Sequence, residues 1–140
     1  MFSIDDYEAA VAQALDCELD EEQLQNWAKA YQELSLALTA DRSRKLNNKT
    51  SAALRGNGMD AVRGLIHGGK TFRIAQRLLQ SYPAPKGPCI EIGAGWGPFG
   101  MAAAANQYGP VSLLEKSRRM LKLAEKAFAH ANLSEPKILA

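Results

Sequence analysis

Glu91-Ile92-Gly93-Ala94-Gly95-Trp96-Gly97-Pro98 joins a short apolar run, Cys89-Ile90-Glu91-Ile92, to an alanine-rich segment that starts at Pro98. The run reads as a strand and the segment, Pro98 to Tyr108, as a helix with proline in its first turn. A strand that turns sharply into a helix needs residues without a Cβ, which reach positive φ and let the backbone approach a ligand. The free N–H groups of the helix start then face a polar or anionic group.

The same alternation continues outward. Val111-Ser112-Leu113-Leu114-Glu115 reads as a second strand, Ser117 to Ala131 as a helix, and Lys137-Ile138-Leu139-Ala140 as the beginning of a third strand. The order β-α-β-α-β predicts a parallel sheet with crossover helices. Glu115 falls at the end of the second strand, where an acid accepts both hydroxyls of a ribose lying across the strand tips.

Residues 1–85 have a different texture and predict a helical region. Ile4, Tyr7, Val11, Ala14 and Leu15 give an amphipathic helix over 4–16. Asp20 and Gln23 resemble a capping box before a second helix over 21–39, with Leu24, Trp27, Ala28, Tyr31, Leu34 and Leu38 on one face. Residues 40–50 are polar and basic and predict a loop, and Gly56-Asn57-Gly58 predicts a break. Asp60 is expected to cap a helix carrying Ala61, Val62, Leu65 and Ile66, and Gly68-Gly69 to interrupt it before the stripe Phe72, Ala75, Leu78, Leu79, Tyr82. The run Pro83-Ala84-Pro85-Lys86-Gly87-Pro88 stops the helices, and the domain boundary is placed there: 1–85 helical, 86–140 sheet-forming.

Charge is distributed in blocks. Residues 1–40 carry a net −8, residues 41–80 a net +7 and residues 81–140 a net +3. The middle block (Arg42, Arg44, Lys45, Lys49, Arg55, Arg63, Lys70, Arg73, Arg77) suits RNA, or equally the acidic first block. No apolar run approaches the ~20 residues of a membrane span. The acidic start, Met1-Phe2-Ser3-Ile4-Asp5-Asp6, has neither the basic nor the apolar region of a secretory signal. Cys17 and Cys89 lie far apart without a Cys-x-x-Cys or His pairing, which predicts a reducing compartment, the cytoplasm, and no metal site. His67 and His130 have no neighbours that suggest a triad or a metal, and Trp27 and Tyr31 at helical spacing read as core.

The pattern Glu-x-Gly-x-Gly-x-Gly with an acid ending the next strand resembles class I S-adenosylmethionine-dependent methyltransferases. The resemblance covers residues 86–140, including Leu114-Glu115-Lys116-Ser117-x-x-Met120-Leu121-x-x-Ala124. It implies a Rossmann-like methyltransferase sheet of seven strands, of which this chain supplies about three, and S-adenosylmethionine as cofactor. It implies that Gly93, Ala94, Gly95 and Gly97 lie under the methionine part of that cofactor. Glu91 would orient its amino end, directly or through the loop, and Glu115 would bind its ribose. Read in the frame Gly95-Trp96-Gly97-Pro98-Phe99-Gly100, the loop also matches the nicotinamide-dinucleotide pattern, but that frame leaves Glu91 and Gly93 without a role.

Across the whole chain, Leu34-Ser35, Arg42-Ser43-Arg44 and Ser112-Leu113-Leu114-Glu115-Lys116-Ser117 are similar to the methyltransferase-like proteins of the small ribosomal subunit. This sequence has none of the C-terminal cysteine cluster those proteins carry. The resemblance implies either the cofactor-binding part of a methyltransferase or a non-catalytic RNA- or ribosome-binding module. The strand-four region that usually carries catalytic groups has no counterpart, so no catalytic residue is assigned. The 140-residue chain is expected to be a truncated piece, alone without methyltransferase activity and with weak or no cofactor binding. An open sheet edge then favours self-association, a partner segment, or N-terminal helices packed over the sheet.

Overall fold

The computed structural model describes residues 1–39, 45–82 and 86–140. The chain is α/β, with a three-stranded parallel sheet. Strand β1 is Cys89–Ile92, β2 is Val111–Leu114 and β3 is Lys137–Leu139, in the spatial order β1-β2-β3. Helix α6, Pro98–Ala105, connects the first pair and α7, Arg118–His130, the second. Pro98 occupies the first turn of α6, where a missing N–H costs nothing.

Register decides which side chains meet α6 and α7. Cys89 lies opposite Val111 and Glu91 opposite Leu113, while Ile92 lies opposite Leu114 and Leu114 opposite Leu139. Side chains alternate across a strand. Glu91, Val111 and Leu113 therefore face α6, where a Cβ on Gly100 would come within 2.9 Å of Leu113 Cδ2. The other face carries Ile90, Ile92 and Leu114, and Ile92 is 79% exposed. A parallel sheet ordinarily has helices on both faces.

The described residues of 1–82 form a second helical layer. Helix α1 is Ile4–Ala14 and α2 is Glu21–Thr39. Asp20 caps α2 by accepting N–H bonds from Glu22 (2.8 Å) and Gln23 (3.3 Å). Helix α1 packs on α7, and α5, Gly68–Ser81, packs on α6. The N-terminal helices thus cover the helices of the sheet unit and leave the face of Ile90 and Ile92 open, so of the three alternatives for the open sheet the one with these helices packed over it is not what forms. Tyr7, Phe72, Met101, Leu113 and Phe128 are fully buried in one apolar cluster that runs across both parts.

Three local expectations need correction. Residues 48–50 are not loop: α3 spans Asn48–Ala53, and Asn47 Oδ1 caps it by accepting from Thr50 N–H at 2.7 Å. Residues 40–44 lie outside the described residues, as do Pro83, Ala84 and Pro85 of the proposed boundary.

Gly68-Gly69 does not interrupt the helix. Helix α4, Gly58–Ala61, continues through a π-helical segment, Val62–His67, into α5. Gly68 N–H donates to Arg63 O, five residues back. The reason for glycine is tertiary: a Cβ on Gly68 would lie 2.3 Å from the Tyr7 hydroxyl oxygen of α1. Asp60, finally, caps nothing. It lies inside α4, 3% exposed, and its carboxylate is paired with Arg119 of α7. No helix of the described residues is long and apolar enough to cross a membrane.

Candidate functional site

The glycine loop follows from the strand end. Gly93 and Ala94 N–H both donate to Leu114 O, at 2.8 and 3.1 Å, which ties the start of the loop to the tip of β2. Gly93, Gly95 and Gly97 then have φ of +66°, +54° and +71°, conformations in which a side chain is strained. A Cβ at Gly93 or Gly95 would meet nothing within 4 Å. The loop is therefore open on that side. At Gly97 the reason for glycine is double, because a Cβ there would also press on Leu113 Cδ1 at 3.1 Å and Phe128 Cε1 at 3.2 Å.

Glu115 joins this loop. Its Oε2 accepts from Gly95 N–H at 2.9 Å and its Oε1 from Ser117 N–H at 3.0 Å. The Ser117 N–H, with those of Gly95 and Lys116, holds the carboxyl below the usual range, so it is ionised at neutral pH. A carboxylate has about four lone-pair sites. The two backbone bonds leave capacity for a pair of ligand hydroxyls. Glu115 is thus both the acid at the strand tip and a strut for the loop, and the second role had no signal in the sequence.

Glu91 points the other way, under α6. Its Oε1 accepts from Gly100 N–H at 2.8 Å. Any influence on a ligand therefore passes through the helix start and the loop. Burial pushes its carboxyl up to about 7, against bonds from Gly100 and Phe99 that favour the charge. A raised acid is stabilising only while protonated. Below the ordinary value of 4.5 the group is neutral whether folded or unfolded. As pH rises from 4.5 to about 7 the unfolded chain ionises first, and stability falls. The loss levels off at about 3 kcal/mol above that window. Unfolding in urea at pH 5 and pH 8 should show this decline, and Glu91→Gln should flatten it; an equal pH dependence in the variant would contradict it.

Trp96 sits inside the loop yet belongs to the core, 2% exposed. Its Nε1–H donates to Asp60 O at 3.0 Å, and its ring lies where a Cβ on Gly64 would come within 2.8 Å. It pins the loop to the helical layer. Asp60 completes the clasp from its side chain, where Arg119 Nη1 donates to Oδ1 at 3.0 Å.

The remaining candidates are dispersed. Lys45, Lys49, Arg55, Arg63, Lys70, Arg73 and Arg77 are exposed, and Lys70 Nζ stands 5.3 Å from the Tyr31 ring centroid. Arg42 and Arg44 lie outside the described residues. Arg73 acts electrostatically on Glu8 of the acidic block. Trp27 is buried, whereas Tyr31 is half-buried and its hydroxyl lies 3.1 Å from His67 Nδ1. No cluster of three or more potential metal ligands occurs among the described residues. No family model, no curated protein and no solved structure matches this chain.

Proposed function

We propose that the loop of Gly93, Ala94, Gly95 and Gly97, with Glu91 and Glu115, binds S-adenosylmethionine as the cofactor-binding portion of a class I methyltransferase. The observation that carries the reading is the bond from Gly95 N–H to Glu115 at 2.9 Å. It makes the glycine loop and the ribose acid one unit, at the carboxyl ends of two neighbouring parallel strands, where ligands of open α/β sheets bind. Glu115 accepts the ribose hydroxyls. The start of α6 and the open side of Gly93 and Gly95 receive the methionine part. Glu91 supports them from beneath through Gly100.

A second reading, a nicotinamide dinucleotide, has one observation in its favour. Gly100 leaves no room for a Cβ against Leu113 and Val111, and close helix–strand packing is what the third glycine of a dinucleotide loop serves. That frame gives no role to the positive φ of Gly93 or to the Glu91–Gly100 bond, so the methyltransferase reading accounts for more of the site. Methyl transfer itself needs a nucleophile held in line with the sulfonium, so the proposal for these residues is cofactor binding.

Glu115→Ala should weaken S-adenosylmethionine binding by about 1–3 kcal/mol, the cost of leaving ligand hydroxyls without an acceptor. Calorimetric titration reads this, and Glu115→Gln should lose less because its carbonyl still accepts. Unchanged affinity in Glu115→Ala would remove the ribose role.

A further inference from the structure

A cavity of about 750 Å³ opens between α2 and α3, and none of its lining comes from the glycine loop. The size is that of a small-ligand site. Among the described residues three bases line it, Lys29, Lys49 and Arg55, against one acid, Glu33. Five carboxamides line it as well: Gln23, Asn26, Gln32, Asn47 and Asn57. Ala52 and Ala53 of α3 supply apolar surface, and the buried Trp27 and Ala30 of α2 back the wall.

Each group of residues selects one part of a ligand. The cations suit a phosphate. Carboxamides donate and accept side by side, which is the pattern presented by the edge of a nucleobase. The methyls of Ala52 and Ala53, with the exposed margin of the buried Trp27, offer apolar contact to such a base. A purely apolar ligand would strip water from five amides and repay none of it. A simple dicarboxylate would use the bases and leave the amides and the indole idle. We infer that the cleft between α2 and α3 is a binding site for a nucleoside phosphate.

The site is also connected to the loop. Asn57 and Gly58 line the cleft at the start of α4, and two residues on, Asp60 holds Trp96 and Arg119. A ligand that orders the start of α4 would bear on the loop through that clasp. The inference nevertheless stands apart from the cofactor reading, since the two sites share no residue.

A nucleoside phosphate is available free or within a single strand of RNA, and the test separates the two. The full chain is titrated with AMP, with inorganic phosphate and with a short single-stranded oligoadenylate, without S-adenosylmethionine. The double variant Lys49→Gln, Arg55→Gln is compared with Lys122→Gln, Lys126→Gln on the exposed side of α7. AMP should bind better than phosphate, and the cleft variant should weaken it about tenfold while the α7 variant leaves it unchanged. Binding of the oligonucleotide but not of AMP, with the same sensitivity to the cleft variant, supports the site with RNA as the source. Phosphate binding as tightly as AMP, equal losses in both variants, or no binding of any probe would overturn the inference.

Discussion

Trp96→Ala should lower the unfolding free energy by about 3–5 kcal/mol, the range for removing a large buried aromatic side chain. The ring is 2% exposed and lies between the glycine loop and the π segment, hard against Gly64. The neighbours cannot close the gap. Gly64 has no side chain to lend, and its carbonyl is already engaged by the Tyr7 hydroxyl at 2.7 Å. Truncation also strands the Asp60 carbonyl that accepts the indole N–H. Trp96→Phe separates these effects in part: it keeps one ring, and loses the bond, at about 1–3 kcal/mol, together with the volume of the second ring. Urea unfolding followed by circular dichroism reads both variants. A loss below about 1 kcal/mol for Trp96→Ala would mean that the residue is not the pin between loop and helices.

Gly68→Ala should cost about 3 kcal/mol, although alanine is the better helix former. The new methyl would lie 2.3 Å from the Tyr7 hydroxyl oxygen and 3.0 Å from Arg63 O. Tyr7 has no room to retreat. It is fully buried, its ring stacks on Phe72 with centroids 4.9 Å apart, and its hydroxyl donates to Gly64 O. Overpacking accounts for about 1–3 kcal/mol and the displaced hydroxyl for a similar amount. The check is a double-mutant cycle. Tyr7→Phe removes the obstructing oxygen, so the pair Tyr7→Phe, Gly68→Ala should be more stable than Gly68→Ala alone. Strict additivity would show that the hydroxyl is not the obstacle.

These residues also mark where sequence reading succeeded and where it stopped. The second half was legible because its determinants are local. A strand feeding three glycines, a proline at a helix start and two more short apolar runs are each readable in isolation, and together they give β1-α6-β2-α7-β3 with ends within a few residues. The ends of α2 were legible for the same reason, since Asp20 announces its start.

What failed was long-range. Gly68-Gly69 looks like a break until Tyr7, sixty-one positions earlier, is known to lie against it. Asp60 looks like a cap until Arg119, fifty-nine positions later, takes its carboxylate. Trp96 carries no sign of its partner Asp60. The start of α3 failed for a smaller reason: Asn47 is a good cap, but Arg and Lys around it gave the segment the look of a loop.

The candidate site divides the same way. Positive φ at Gly93, Gly95 and Gly97 follows from glycine at a strand–helix turn. The position of Glu115 at the strand tip follows from spacing. Its bond to Gly95 does not, and neither does the placement of Glu91 beneath α6 rather than beside the ligand. The cleft between α2 and α3 was invisible for a general reason. Its lining comes from ordinary polar residues on helix surfaces, which have no motif until two helices bring them together.

The most direct measurement is a calorimetric comparison of S-adenosylmethionine and NAD on the same preparation of the chain. The predicted result is that any binding, weak in this chain alone, is of S-adenosylmethionine or its demethylated product, with no heat from NAD under the same conditions. Binding of NAD without S-adenosylmethionine would contradict the assignment of the loop from Gly93 to Gly97 and of Glu115 to a methyl-donor cofactor.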